Sequence, residues 1–239
     1  MKHYLYFSFL LICISINAQN NNPVQESDKD SIFTTKLTGE LFFDNIQYIG
    51  EMYYNKNWVK SDILLSTGSM VYGEKIKYNG FFDEVIWLNS SNFGKYKLDK
   101  SFITDFWLKS ATDQTIHFKR IHVGDTPVLN QSDIFVQVVI EGKMSIYIQR
   151  KISVIGEENI YIDNRLCYFN DVGETPLYFI RLATNHYLKM NRINRRTFLK
   201  LFPDQKKEIV KLLKDNHLSF KTESDFIKVI DLMNKKDIM

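Results

Sequence analysis

The sequence predicts an α+β protein that is mainly β: an antiparallel curled sheet, sandwich or open barrel, followed by a C-terminal cap of two to three helices. Between residues 38 and 190, short apolar runs alternate with turn signals and no long stretch keeps a helical period. Aromatic residues (18 Phe, 13 Tyr and 3 Trp) make up 14% of the 239-residue chain, against only 10 Gly and 4 Pro, a mixture that suits a pleated, half-buried surface. After residue 190 the apolar spacing changes to that of amphipathic helices. About ten strands joined by short links require antiparallel pairing, because a parallel neighbour needs a crossover of about a dozen residues.

The chain begins with a short basic segment, Lys2 and His3, followed by an apolar run over residues 4–16 (YLYFSFLLICISI) and then Asn17-Ala18. This pattern is that of a secretory signal peptide over residues 1–18, cleaved after Ala18. The apolar run is shorter than the ~20 residues that span a bilayer as a helix, so a mature chain without a transmembrane span is expected, exported to the periplasm or cell surface. Removal of the signal leaves Cys167 as the single cysteine, which excludes a disulfide within the chain. In Leu-Cys-Tyr-Phe this residue reads as a small buried hydrophobe, not a reactive thiol. Residues 19–37, polar and without period, read as a disordered leader.

The β domain is assigned to residues 38–190. Residues 58–65 and 70–78 form a hairpin across Ser66-Thr67-Gly68-Ser69, with Val71, Gly73, Lys75 and Lys77 on one face and Tyr72, Glu74, Ile76 and Tyr78 on the other. Asn79-Gly80 reads as a two-residue hairpin turn leading into a strand over 81–88. Further strands are expected over 102–108, 115–121, 134–140, 144–152, 161–169, 178–182 and 187–190. The helical segment covers residues 191–239. Asn194 caps a short helix through residue 202, Pro203 ends it or starts the next, and Asp204 caps a second helix over 205–215. Thr222 with Asp225 starts a third, in which Phe226, Val229, Ile230 and Met233 share a face that would pack on the aromatic sheet.

Charge follows the same boundary. Residues 189–239 carry 13 Lys/Arg against 7 Asp/Glu, net +6, whereas residues 19–188 carry 17 against 21, net −4. A formal total of +3 is too small for a nucleic-acid surface. The basic helices would instead coat their exposed face with Lys and Arg or meet an acidic partner, such as an envelope component or a lipid surface.

No catalytic residue, metal ligand or cofactor site is expected. His117 and His122 are five apart, point to opposite faces of a strand and miss the spacing of a two-histidine metal site, while His186 and His217 are isolated. The neighbours Asp83-Glu84 face opposite ways, and Glu157-Glu158 reads as a turn. Serine-nucleophile, zinc-protease, phosphate-loop and calcium-loop motifs are absent from the sequence. The strand aromatics Trp58, Tyr72, Tyr78, Trp87, Phe106, Trp107, Tyr147, Tyr168 and Tyr178 serve as core or as the lining of a site for a small apolar or glycan ligand.

The segments Tyr54-Asn-Lys-Asn-Trp58, Leu64-Leu-Ser-Thr-Gly68 and Lys77-Tyr-Asn79, with Asp83, resemble a family of exported Bacteroidetes proteins of unknown function. So do the hairpin over 134–148, Leu201-Phe-Pro-Asp-Gln-Lys-Lys-Glu-Ile209 and Phe220-Lys-Thr-Glu-Ser-Asp225. The resemblance spans about residues 48–234. It implies export and a β-then-α order, and it supplies no reaction. The expected function is a non-enzymatic ligand- or protein-binding module of the periplasm or cell surface. The contrasting expectation is an envelope hydrolase acting on glycan or peptide, with carboxylates gathered from separate strands.

Overall fold

The structure, a computed structural model, describes residues 37–44, 48–109, 114–124 and 133–238. The signal peptide expected at 1–18 and the leader through residue 36 lie outside the described residues. Leu37, assigned to the end of that leader, is buried in the core.

Fourteen strands and three helices follow in chain order among the described residues. The first seven strands are β1 (Gly39–Leu41), β2 (Tyr48–Ile49), β3 (Val59–Leu65), β4 (Met70–Asn79), β5 (Glu84–Leu88), β6 (Lys95–Leu98) and β7 (Ile103–Lys109). They are followed by β8 (Thr115–His122), β9 (Asp133–Ile140), β10 (Ser145–Gln149), β11 (Ile152–Ile162), β12 (Arg165–Glu174), β13 (Leu177–Arg181) and β14 (Tyr187–Met190). The helices are α1 (Arg195–Leu201), α2 (Lys206–Asp215) and α3 (Glu223–Lys236), and a 3-10 turn (Lys100–Phe102) precedes β7. Eleven strands form one open antiparallel sheet in the order β1-β6-β5-β4-β3-β7-β8-β9-β10-β13-β14. The class is therefore α+β and mainly β, with three C-terminal helices, as the sequence predicts. A second sheet, β11-β12-β2, corrects the all-antiparallel expectation: β2 pairs parallel with β12 over Asn170↔Tyr48 and Asp171↔Ile49. So short an edge pairing carries no periodic signal.

Local chemistry accounts for further corrections. Gly73, at φ +72, sits in a bulge where Ser61 faces Glu74 but Ile63 faces Val71, so β4 holds one extra residue. The extra residue reverses the alternation. Val71 joins Ile76 and Tyr78 in the core, and Tyr72, expected beside them, is 69% exposed. Gly73 N–H donates to Asp62 Oδ1 at 3.0 Å and anchors the bulge. No atom lies near the position of a Cβ at Gly73, so Gly73→Ala is expected to cost only the left-handed backbone penalty, about 1–2 kcal/mol in urea unfolding.

Asn79-Gly80 is not a two-residue hairpin. Asn79 Oδ1 accepts from Phe81 N–H (3.0 Å) and Phe82 N–H (3.2 Å), which widens the connection so that β5 begins at Glu84 and the positive φ falls on Asp83. Glycine is required at residue 80 for close approach, because a Cβ there would lie 2.3 Å from the Arg150 carbonyl oxygen. The strand expected over 161–169 crosses a hairpin tip: Asp163 and Asn164, both at positive φ, turn β11 into β12. Glu157-Glu158 consequently lies in mid-strand, not in a turn. Cys167, expected to be buried, is only partly covered.

The sheet rolls strongly. Flat pairing would set β4 and β8 three strand spacings apart, about 14 Å. Instead the Tyr78 and Phe118 rings are 5.0 Å apart, and Tyr78 also meets Phe106 at 5.8 Å and Phe135 at 6.3 Å. Strands β3 to β9 therefore fill their own concave side with aromatic rings, beside Ile63, Ile76 and Ile103. The helices cover the other end, where Ile146, Ile148, Tyr178 and Ile180 meet Phe198, Leu212, Phe226, Val229, Ile230 and Met233. The helices thus pack on the sheet at β10 and β13, including the Tyr178 ring, and not on the ring-filled stretch of β3 to β9. Asn194 and Thr222 cap α1 and α3 through their side chains as expected. Asp204 does not cap α2, whose N-cap is Gln205 without a side-chain bond. No helix among the described residues is long and apolar enough to cross a membrane.

Candidate binding cleft

The 3-10 turn between β6 and β7 begins at Asp99, whose Oδ1 accepts from Ser101 N–H and Ser101 Oγ, both at 2.8 Å. These bonds hold the Asp99 carboxyl below the ordinary carboxylate range. The same turn carries the Lys100 side chain inward. Lys100 Nζ donates to Asp83 Oδ2 at 2.7 Å and to the Asp133 carbonyl at 3.5 Å, and it lies 5.6 Å from the centre of the Phe135 ring.

Asp83 is the buried end of this pair. Its carboxylate also accepts from Tyr78 Oη at 2.6 Å and from Phe135 N–H at 3.3 Å, so one side chain joins β4, the turn, and β9. Burial raises the Asp83 carboxyl above its usual range, while Lys100, Tyr78 and Phe135 N–H oppose the rise. Tyr78, fully buried beside a carboxylate, is pushed well above the ordinary phenol range and remains a neutral donor.

Outside this anchor opens a cleft of about 810 Å³, lined from β1, β5, β6, the 3-10 turn, β8 and β9. Its charged groups are largely interlocked. Lys97, opposite Glu40 in the β1–β6 register, pairs with Glu40 at 3.0 Å and with Glu84 at 3.8 Å. Arg120 donates to the Lys100 carbonyl at 3.1 Å and faces Asp133 at 3.6 Å. Burial raises the Glu84 carboxyl, with Lys97 and Lys100 opposing. Phe82 and Phe102 leave exposed rings at the rim.

None of the nine aromatics considered as a ligand lining lines this cleft, and the centre of the Trp58 ring lies 5.4 Å from Lys77 Nζ. Tyr78 and Phe106 are core, Trp87 donates Nε1–H to Glu74 at 2.7 Å, and Trp107 stacks on His117 at 4.8 Å. Tyr147 belongs to a small cluster on the opposite face of the sheet, Tyr178 packs against Phe226, and Tyr168, like Tyr72, is exposed. Each histidine of the β8 pair has its own carboxylate: His117 Nε2 with Asp105 at 2.7 Å and His122 Nδ1 with Asp133 at 2.9 Å. Among the described residues no three His, Cys, Asp or Glu side chains gather as metal ligands.

Sequence reasoning singled out Asp83-Glu84 and missed Glu40, Lys97, Lys100, Arg120 and Asp133. Asp99-x-Ser101, a local capping pattern, was the one readable signal for the turn. The remainder converge only through the roll of the sheet. Comparison with protein-family models, with curated proteins and with solved structures finds no match to this chain.

Proposed function

We propose that this chain is an exported binding protein of the periplasm or cell surface, without a reaction of its own, and that the cleft takes a neutral glycan. The observation that carries this reading is the interlocking of the cleft charges. Four carboxylates face three cations there, and each carboxylate has a partner within the protein. Lys100 is itself bonded to Asp83, so the lining carries a small excess of carboxylate that repels an anion, while its paired groups offer fixed hydrogen-bond donors and acceptors to a neutral ligand. The exposed Phe82 and Phe102 rings beside it supply apolar faces for the C–H side of a sugar. The basic start and apolar run of residues 1–18, and the resemblance to exported Bacteroidetes proteins, support export.

A second reading rests on Glu84. Its raised carboxyl shares the cleft with Glu40, Asp99 and Asp133, the kind of gathering a glycan hydrolase uses. One experiment separates the two. Calorimetric titration of the chain with neutral and anionic oligosaccharides should show binding of neutral ones, weakened at least about tenfold in Arg120→Ala and in Phe102→Ala. Absence of binding overturns the proposal. Release of reducing ends that disappears in Glu84→Gln assigns the hydrolase instead.

A further inference from the structure

The β11–β12 hairpin continues past its buried base, Ile152 and Val172, as a two-stranded arm with exposed apolar side chains on both faces. On one face the register aligns Tyr161 with Leu166 and Asn159 with Tyr168, and Tyr161 and Tyr168 are 74% and 72% exposed. The other face carries Ile160 and Ile162, also exposed. An isolated two-stranded ribbon is marginal in water, and contiguous exposed apolar surface marks an interaction site. The arm is acidic as well: Glu157 and Glu158 put a carboxylate on each face, and Asp163 sits at the tip with Arg165 as the local cation.

The helical end has the complementary surface. A groove of about 640 Å³ between α1 and the turn before α3 is lined by the apolar Ile193, Leu199 and Phe220 and by the cations Arg195, Arg196 and Lys221, with no carboxylate. Among the described residues, none of these three cations and none of Glu157, Glu158 and Asp163 takes part in an ion pair. No arm residue of the same chain lines the groove.

The geometry points to a second copy of this chain as the partner of both surfaces: the acidic, apolar arm of one copy seats in the basic, apolar groove of another. A two-fold axis makes the contact reciprocal, so each copy gives one arm and receives one. Two tyrosines per arm, each able to bury about 150–250 Å², together with the aliphatics and counted over both arms, reach the scale of a standard interface of roughly 1,600 Å². Opposite charges set the orientation of docking and make it sensitive to salt.

The test is sedimentation equilibrium of the chain lacking residues 1–18. A concentration-dependent dimer is expected, weakened at least about tenfold between ~0.05 and ~0.5 M salt. Glu157→Lys with Glu158→Lys makes both arm and groove basic, Arg195→Glu with Arg196→Glu makes both acidic, and each doubly substituted chain should be monomeric. Mixing the two should restore association as a heterodimer, because both arm–groove contacts are again of opposite charge. All of these residues are exposed, and circular dichroism checks that each variant is folded. A natural chain that stays monomeric to about 200 μM, two charge-reversed variants that still dimerise, or a mixture that does not associate each overturns the inference. A monomer that instead co-sediments with phosphatidylcholine vesicles through its arm overturns it too.

Discussion

Replacing Asp83 by alanine is expected to lower the free energy of unfolding by about 3–5 kcal/mol, the range for removing one partner of a buried ion pair. Asp83 is 5% exposed, and its carboxylate receives Lys100, Tyr78 and Phe135 N–H together. The substitution removes the ion partner of a poorly hydrated ammonium and leaves a buried phenol and a buried amide without their acceptor. It also puts alanine at φ 57, where aspartate and asparagine are better tolerated. Asp83→Asn separates these effects: it keeps the backbone and an acceptor for Tyr78 and removes the charge that burial already disfavours, so less than half of the deficit should remain at about pH 7.

The pH dependence has a definite sign. Burial places the folded-state pKa of Asp83 above the ordinary value of 3.8, so the folded protein takes up this proton first. The stabilisation from that proton is fully present below the unfolded pKa and is lost as pH rises through the folded value. Measured by urea unfolding against the natural chain, the deficit of Asp83→Asn should therefore be larger at about pH 4 than at about pH 7. A deficit that shrinks on acidification would show that Lys100 outweighs burial.

Phe226→Ala should have a comparable effect at the other end of the molecule. Phe226 is fully buried and contacts the rings of Tyr178 at 5.7 Å, Phe220 at 5.9 Å and Phe198 at 6.2 Å, so truncation opens a cavity where α1, α3 and β13 meet. The expected loss is about 3–5 kcal/mol. The loss should be local in its consequences, because the helical core and the ring core of β3 to β9 are separate clusters. Hydrogen exchange should rise across α1, α2 and α3 while β4, β7 and β8 keep their protection. Arg150, which pairs with Glu223 through both Nη atoms at 2.9 and 2.7 Å and with Gln137 at 2.7 Å, is a second attachment of α3 to the sheet. Uniform loss of protection would show that the two cores unfold as one.

These two sites were unequally legible. Phe226, Val229, Ile230 and Met233 declared themselves by spacing alone, since an α-helix places i, i+3, i+4 and i+7 on one face whatever it packs against. Caps at Asn194 and Thr222 were readable for the same reason, because they depend on backbone groups two or three residues away. The Asp83 cluster was not readable: Asp83 meets Lys100 across 17 residues and Phe135 across 52, and nothing local distinguishes it from a turn aspartate.

Local sequence carries the antiparallel character of the main sheet, the change from β to α near residue 190, the faces and caps of α1 and α3, and the acidic and basic segments of the chain. Period, turn chemistry and composition act over a few residues and leave their record there. Which faces meet is settled by long-range packing. One extra residue at Gly73 exchanged Val71 for Tyr72 in the core, and the two positive φ values at Asp163 and Asn164 made an exposed arm of what read as one strand. The roll of the sheet brought Glu40, Glu84, Lys97, Lys100, Arg120 and Asp133 around one cleft. Each of these outcomes depends on register and curvature, which accumulate across many strands and are written in no single segment.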